Sequence, residues 1–424
     1  MLENEFTFWP VGQGLFYTGI IGDFVFVYDV GTKNKKEFLE NQIDSFSDNL
    51  LKITHDNSRA KIDVLFLSHY DIDHISGIKM LISKQFQIKK IIAPLITPLT
   101  ELNFKLESLK SQNEFVVNND LRETLDSLDT KIIFISPLNA DENLDNNDHD
   151  TISDAVDITS MNENDFSSTK SASGIIKAKY NELWHFEFFA QSYEEEWVKE
   201  WLIHLKASLS LYNNIESDLN FNLDLKAEKK KKTELLASEV HTMVNDNFLS
   251  HNRLKILLNI IKCVAKNLNI IKDKANVISL ILYHKPLIKE IETDNNAQLL
   301  TGDSVFQNSS SLTPTTEWEI FEKKISHFTD ICVMLLPHHG SKYGWNDALT
   351  KYTNYFIVSY GKHNSYHHPN LCVTKKIDKR KLIRVNEESN TKLTIKFLPC
   401  FIFPHRCSIK LISGDKRRTM YFKL

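Results

Sequence analysis

Apolar runs broken by short polar stretches recur along the chain and predict alternating strands and helices. Residues 5–30 contain apolar and aromatic runs interrupted by glycines, which is typical of two or three antiparallel strands joined by tight turns. Further along, short buried runs alternate with helical spacing, which indicates α/β layers. The pattern predicts strands over 61–69, 88–94, 131–137, 276–284, 296–303, 330–341 and 353–361, and helices from Gly77 and over 100–112.

Two stretches depart from this alternation. Residues 139–170 are rich in Asp, Glu and Asn, which predicts a flexible acidic loop. Apolar residues recur at helical spacing from 193 to 270, which predicts a helical insertion. We therefore expect three parts, namely the first half of a domain over 1–192, the insertion over 193–270, and the second half over 271–424 with a β-rich tail from Lys381.

The composition of the chain indicates the compartment and the kinds of partner better than it indicates the reaction. The 424 residues carry a net charge of −4, so no overall basic field indicates a polyanionic partner, although a local basic groove stays compatible with one. The five cysteines form no CxxC pair, and no apolar run approaches the length of a membrane span. The N-terminus lacks a secretory pattern, and the Lys, Asn and Ile bias is typical of AT-rich bacterial coding. We expect a cytoplasmic bacterial protein with no membrane contact.

Four ligand-type side chains crowd the end of the predicted strand 61–69. His69, Asp71, Asp73 and His74 form the pattern H-x-D-x-D-H. Residues two apart in extended backbone point the same way, so the first three can converge on one pocket, and His74 turns inward as the next helix begins. Such groups are costly to bury unless a cation compensates them, which favours a pair of divalent metal ions. The alternative is a solvated turn in which Asp73 caps the helix.

Similar residue types follow strands in the second half. Asp303 ends the segment LLTGD, and His338 and His339 follow a buried strand in LPHHGS. His368 precedes Pro369 in the segment VSYGKHNSYHHP. Each of these has a structural alternative, namely a turn aspartate or a buried, hydrogen-bonded histidine.

Together these segments resemble the metallo-β-lactamase-fold superfamily, whose usual motif is H-x-H-x-D-H. The aspartate at position 71 resembles the variant found in the hydrolase domain of ComEC-type competence DNA-uptake proteins and in the related phosphocholine esterases. The segments PVGQG (10–14) and VYDVG (27–31) resemble others of that domain, and the resemblance covers about the first 80 residues and 276–370. Nothing resembles the membrane channel of the competence proteins, so DNA import is not expected.

The resemblance implies roles for individual residues. His69 and Asp71 would hold a first metal ion, and Asp73 and His74 a second, together with one histidine of the His338–His339 pair. We favour His339 as this ligand, with His338 lining the site.

Three further roles follow from the same resemblance. Asp303 would bridge both ions, Asp29 would support the ligand loop from behind, and His368 would face the substrate and assist the leaving group. The catalytic candidates are therefore Asp73, which would position the attacking hydroxide, with His338 and His368.

One departure affects the first metal ion. The family usually supplies a further histidine from the strand before the bridging aspartate, where this chain reads KDKANVISL, with Asn276 as the local candidate. The first ion is therefore expected to be weakly held or water-rich. The carboxylate of Asp71 shifts the preference toward Mn²⁺ or Mg²⁺, and Zn²⁺ stays compatible.

The fold implied is a four-layer αβ/βα sandwich with a helical insertion. The activity implied is that of a dinuclear hydrolase that cuts phosphodiesters, in nucleic acid or a nucleotide, with a metal-bridging hydroxide as nucleophile. One alternative is another ester class, such as a thioester, lactone or phosphocholine ester. The other is an interaction subunit of a defence-like system, with the insertion docking a protein partner or a second copy. A basic groove beside the ions would favour the first hypothesis and an apolar pocket the second.

Overall fold

The computed structural model describes both halves of the predicted domain and parts of the stretch between them. The described residues are 4–54, 60–111, 125, 128, 130–136, 156–160, 176–180, 184–192, 199, 202–210, 233–246, 278–287, 296–306, 316–325, 328, 331–398, 408–413 and 416–418. Most of the predicted acidic loop and much of the predicted helical insertion lie outside these residues, as does Asn276. Within the predicted acidic loop, Val156–Asp157 form a strand.

The alternation of strands and helices follows the hydrophobic pattern closely. The strands are β1 (Asn4–Phe8), β2 (Phe16–Ile21), β3 (Phe24–Val30), β4 (Lys61–Ile62), β5 (Val64–Phe66), β6 (Gln87–Ile88), β7 (Lys90–Pro94), β8 (Lys131–Ile135), β9 (Val156–Asp157), β10 (Ile176–Tyr180), β11 (Trp184–Ser192), β12 (Ile278–Pro286), β13 (Ala297–Leu300), β14 (Ile331–Leu335), β15 (Tyr355–Ser359), β16 (Leu382–Val385), β17 (Leu393–Leu398), β18 (Ser408–Ser413) and β19 (Lys416–Arg418). The helices are α1 (Lys36–Thr54), α2 (Ile72–Ile75), α3 (Ile78–Ser83), α4 (Pro98–Ser111), α5 (Thr233–Asp246), α6 (Thr316–Ile325) and α7 (Leu371–Thr374), and residues 202–210 are also helical.

Two large mixed sheets organise these strands. Among the described residues, the first sheet has the order β19-β18-β17-β1-β2-β3-β5-β7-β8 and the second the order β16-β15-β14-β13-β12-β11-β10-β9. Strands β3, β5, β7 and β8 are parallel, and so are β13, β14, β15 and β16. Each sheet therefore has an edge at which the carboxyl ends of several parallel strands meet, and loops that follow such strands can share one site.

The two sheets pack face to face through one aromatic core. Phe26 of the first sheet meets Phe186 of the second edge to face, with ring centroids 5.3 Å apart. The hydroxyl of Tyr28 donates a hydrogen bond across the interface to the carbonyl oxygen of Leu280 at 2.6 Å. Because both inner faces are apolar, their burial supplies the main stabilisation of this core.

Helices cover the outer faces of both sheets. On the first sheet, Phe46 of α1 packs against Trp9 and Phe16. On the second sheet, Phe321 of α6 belongs to a buried cluster with Tyr283 of β12. The order of layers is therefore helix, sheet, sheet, helix, and the predicted four-layer α/β sandwich is confirmed.

A buried chain of hydrogen bonds crosses the core. Trp184 Nε1 donates to Nδ1 of His284 at 3.2 Å, His284 Nε2 lies 2.9 Å from the Tyr17 hydroxyl, and that hydroxyl donates to Gln298 Oε1 at 3.1 Å. Indole nitrogen can only donate, so His284 Nδ1 accepts and the ring is neutral with its proton on Nε2. Burial lowers the pKa of His284 to about 3, which agrees with this tautomer.

The chain divides into two compact units. Residues 1–95, 130–192 and 278–424 form the unit that contains both sheets, and 96–129 with 193–277 form the other. In the second unit, Lys206 Nζ pairs with Glu239 Oε2 of α5 at 2.5 Å, and both helical segments bury leucines. The predicted role of 193–270 as a partner surface stays a prediction.

Candidate metal centre

The predicted ligand residues gather where parallel strands end. His69 follows β5, Asp303 follows β13, and His338 and His339 follow β14. Because these strands run parallel to neighbours within their sheets, their carboxyl ends deliver the three loops to one edge. We call the cluster that forms there the His/Asp centre; its members are the half-buried Asp71 and the buried His69, Asp73, His74, Asp303, His338 and His339.

The ligand loop between β5 and α3 is fixed from behind by Asp29. This aspartate is fully buried at the end of β3, with a left-handed backbone at φ 57°. Its carboxylate accepts hydrogen bonds from the backbone N–H of Ser68 at 2.7 Å and from the Ser68 hydroxyl at 2.5 Å. It also lies 2.7 Å from Nδ1 of His74. Burial raises the pKa of Asp29, and these donors counteract the rise by stabilising its charged form.

Three imidazoles are oriented so that Nε2 faces the centre. His74 Nδ1 donates to Asp29, and His339 Nδ1 donates to the carbonyl oxygen of Ser359 at 2.8 Å. The Ser68 hydroxyl gives its single proton to Asp29, so it accepts from His69 Nδ1 at 2.9 Å. Each ring can therefore present an Nε2 lone pair, and these Nε2 atoms are buried without a hydrogen-bond partner among the described residues.

The Asp303 carboxylate lies among the imidazoles. Its Oδ1 is 3.3 Å from His74 Nε2 and 3.7 Å from His339 Nε2. Its Oδ2 is 3.7 Å from His69 Nε2 and 3.6 Å from His338 Nε2. These separations are long for hydrogen bonds. Two donors that each lie about 2.1 Å from one ion at a tetrahedral angle are about 3.4 Å apart, so the spacing suits atoms that share a metal ion.

The remaining carboxylates complete two ligand groups. Asp73 Oδ2 lies 3.5 Å from His339 Nε2, and Asp71 Oδ2 lies 3.9 Å from His69 Nε2. Ligand atoms of His69, Asp73 and His74 lie within 4.8 Å of one another, and so do those of His74, Asp303 and His339. Imidazole nitrogens and carboxylates that converge in this way are the donor set of a divalent metal site, so the residues present fit such an ion.

The charges of the centre are strongly coupled. Burial opposes ionisation of Asp303, but the surrounding histidines, His338 and His74 first, hold its pKa well below the ordinary value. For His74, burial is outweighed by Asp303 and Asp29, which raise its pKa well above the ordinary value. Burial and the neighbouring His74 lower the pKa of His69. A bound cation would replace the proton on His74 as the compensating charge.

The loop after β14 has an unusual backbone. His338 (φ 48°, ψ 53°) and His339 (φ 53°, ψ 23°) are both left-handed, as is Gly340 at φ 79°. A Cβ on Gly340 would lie 2.7 Å from the Pro369 side chain, so glycine is required there. Left-handed non-glycine residues cost about 1 to 2 kcal/mol each, and such strain is typical of functional sites.

His368 lies beside the centre rather than in it. It is buried, and its ring contacts His338 edge to face with centroids 5.6 Å apart. Tyr366 stacks on the same ring, with centroids 5.9 Å apart. Burial, with His338 and His339 nearby, lowers the pKa of His368 to about 3, so its ring is a neutral imidazole. The loop after β15 thus brings an imidazole N–H to the edge of the centre, and the substrate-facing role of His368 stays a prediction.

Sequence reasoning missed Lys33. Its Nζ lies 2.9 Å from Asp73 Oδ1, 3.9 Å from Asp71 Oδ2 and 5.7 Å from the centre of the Tyr366 ring. Burial opposes ionisation of Asp73, but Lys33 and then His339 and His74 hold its pKa well below the ordinary value. Its position in the sequence could have placed it at the site, because Lys33 follows Asp29 and Gly31 at the end of β3, the strand beside β5.

A four-layer αβ/βα sandwich with a His/Asp centre at its strand ends defines a metallo-β-lactamase-type scaffold. Residues 14–139 match the family model of the metallo-beta-lactamase superfamily, a range that includes His69 to His74. The structure is similar over 99% of the chain to the crystal structure of a long form RNase Z from yeast, with 10% sequence identity and a TM-score of 0.36. The match covers 50% of that chain, so this protein spans about half its length. No curated protein matches the sequence.

The family match includes the motif from His69 to His74, and the His/Asp groups supply donors that suit a divalent metal ion. The resemblance to ComEC-type hydrolases in particular stays a prediction, as do the bacterial source and the cytoplasmic location. Among the described helices, we find none whose length and apolar character would let it cross a membrane.

Proposed function

We propose that the protein is a dinuclear metal-dependent phosphodiesterase that acts on nucleic acid or a nucleotide. The observation that carries this proposal is a basic surface beside the His/Asp centre. Residues 342–384, here called the basic segment, contain nine Lys and Arg residues against two Asp and no Glu, in a chain whose net charge is −4. All nine basic side chains belong to exposed residues.

The basic segment is continuous with the centre. It begins directly after His339 and Ser341 and includes His368. The backbone N–H of Asn370, which begins α7, donates to the carbonyl oxygen of Gly340 at 2.9 Å. From there α7 and the following turn lead to β16, the edge strand of its sheet. A polymer held at the centre could therefore continue along this surface.

Most of the basic charge is available to an anion. Lys362, Lys376 and Arg380 pair with Glu388, Asp347 and Asp378. Other members form no ion pair with a described residue, namely Lys351, Lys375, Lys379, Lys381 and Arg384. Exposed lysines of this kind neutralise phosphates and release counterions. An uncharged thioester or lactone would gain nothing from them, so the surface favours a phosphodiester.

The positions of the residues in the centre suggest which of them would bind the ions and which would act on the substrate. His69 and Asp71 would hold one ion, Asp73, His74 and His339 would hold the other, and Asp303 would contribute to both. Bound divalent ions would supply an activated water and positive charge to the phosphodiester oxygens. Asp73 would orient the attacking water, while the His368 N–H would donate a hydrogen bond to the leaving oxygen. His338 packs edge to face on His368.

The first test is hydrolysis of bis(p-nitrophenyl) phosphate by the full chain with Mn²⁺, Zn²⁺ or Mg²⁺. We expect metal-dependent turnover that falls at least 100-fold in Asp73→Asn. Asp63→Asn is the matched control, because Asp63 is also buried but pairs with Lys61 and Lys89 away from the centre. No turnover by a chain shown to bind two ions, with turnover of a thioester or lactone instead, would contradict the proposal.

A second test addresses the polymer. Lys375→Glu combined with Lys379→Glu should weaken binding of a single-stranded DNA or RNA oligonucleotide about tenfold or more at low salt, and should leave bis(p-nitrophenyl) phosphate hydrolysis unchanged. Lys52→Glu with Lys131→Glu is the matched control, since both lysines are exposed elsewhere on the sheet-containing unit. Equal binding by both double variants would show that the basic segment does not contact the substrate.

A further inference from the structure

The two oxygens of Asp303 divide four histidines into two pairs. Oδ1 is shared by His74 and His339, at 3.3 and 3.7 Å. Oδ2 is shared by His69 and His338, at 3.7 and 3.6 Å. The arrangement is nearly symmetrical, and His338 stands in the same relation to Asp303 as the three histidines that were expected to be ligands.

We infer that His338 is a ligand of the first metal ion, through Nε2, together with His69, Asp71 and Asp303 Oδ2. This inference rests on the proposed dinuclear centre and deepens it. The family pattern leaves the first position short of a histidine in this chain, because the segment before Asp303 has none. His338 supplies an imidazole to that position from a different strand end.

The separations support a shared ion rather than a hydrogen bond. The distance of 3.6 Å from His338 Nε2 to Asp303 Oδ2 exceeds hydrogen-bond range. It agrees with the separation of about 3.4 Å expected for two donors on one tetrahedral ion. His338 is buried, so its imidazole meets this carboxylate away from bulk solvent.

The backbone explains how two consecutive histidines reach opposite oxygens of one carboxylate. In an extended strand, neighbouring side chains point to opposite faces, and only one could reach the centre. The two left-handed residues turn the chain so that both rings reach Asp303. The backbone N–H of His338 also donates to the carbonyl oxygen of Gly302 at 3.0 Å, which ties this loop to the residue before Asp303.

Metal binding by the full chain tests the inference without any substrate. Chelator-treated protein would be titrated with Zn²⁺ by calorimetry and with Co²⁺ by visible absorption, which reports the ligands of each ion. We expect wild type to bind two ions and His338→Gln to bind one tightly, with at least a 100-fold loss of affinity at the other position. His338→Glu, which offers a carboxylate at about the same reach, should retain two ions with a changed Co²⁺ spectrum.

His368→Gln is the matched control, because His368 is a buried neighbour of His338 from the next strand end and should leave both affinities and the spectrum intact. Two wild-type affinities and an unchanged spectrum in His338→Gln would overturn the inference and return His338 to a substrate-facing role. A wild-type chain that holds a single ion would also overturn it. Two ions without phosphodiesterase activity would instead contradict the proposed function alone.

Discussion

Asp29 Oδ2 lies 2.7 Å from Nδ1 of His74, and this contact decides which nitrogen of His74 faces the His/Asp centre. The carboxylate also makes His74 a stronger electron donor, as partners behind a metal ligand commonly do. Asp29→Asn keeps the shape and suits the left-handed backbone at this position, but removes the charge. We expect Zn²⁺ affinity to fall about 10- to 100-fold, as measured by competition with a chromophoric chelator.

The control for this prediction is Asp63→Asn, a buried aspartate whose carboxylate accepts from the backbone N–H of Val25. That variant should bind Zn²⁺ as wild type does, and circular dichroism should show both variants folded. Equal affinities for wild type and Asp29→Asn would mean that Asp29 serves the fold alone.

Much of the centre could be predicted because its chemistry is local in the sequence. The motif from His69 to His74 follows one strand, and Asp303 and His339 follow others in recognisable segments. Parallel strands then bring these loops together without any further information. The assignment of individual ligands stays a prediction.

Other features depend on contacts between distant segments and could not be predicted from local pattern. The pairing of Lys33 with Asp73 requires the exact separation of two loops. Likewise, the apolar run before His338 does not predict that this residue has a left-handed backbone. Periodicity also does not assign strands to sheets, so it did not indicate that β16 joins the second sheet while β17, β18 and β19 return to the first.

Gly31 allows the end of β3 to touch the ligand loop. A Cβ at this position would lie 2.4 Å from the carbonyl carbon of Asp73 and 2.5 Å from the backbone nitrogen of His74. Gly31→Ala must therefore displace the ligand loop, at a cost of about 1 to 3 kcal/mol in unfolding free energy. We expect urea denaturation to show this loss and Zn²⁺ affinity to fall with it. An unchanged affinity would show that the loop tolerates displacement.

Lys33 compensates the carboxylates of the metal-free centre. Its ammonium group is 2.9 Å from Asp73 Oδ1, and the Asp73 side chain is only 3% exposed. Lys33→Met leaves this buried charge without its lysine partner, so the metal-free protein should lose about 1 to 3 kcal/mol of unfolding free energy. Because an ion can replace the missing charge, saturating Zn²⁺ should stabilise Lys33→Met more than wild type.

Chemical denaturation with EDTA and with Zn²⁺ measures both quantities for Lys33. Lys33→Arg keeps a cation at this position and is the matched control, with stabilities close to wild type in both conditions. If Lys33→Met and Lys33→Arg respond equally to Zn²⁺, the ammonium group does not compensate Asp73.

His284 lies in the core, away from the metal centre, and makes the unfolding free energy depend on pH. Burial lowers its pKa from 6.5 to about 3 in the folded chain, so between these values the unfolded state binds a proton that the folded state does not. The stabilisation is therefore complete above pH 6.5 and is lost as the pH falls toward 3, by about 5 kcal/mol over the window. His284→Gln cannot take up this proton, and its amide can still accept from Trp184. With EDTA present in both samples, urea denaturation between pH 4 and 6 should show a slope smaller than that of wild type by up to about 1.4 kcal/mol per pH unit. Parallel slopes would mean that His284 is protonated in the folded core, against the direction in which Trp184 donates.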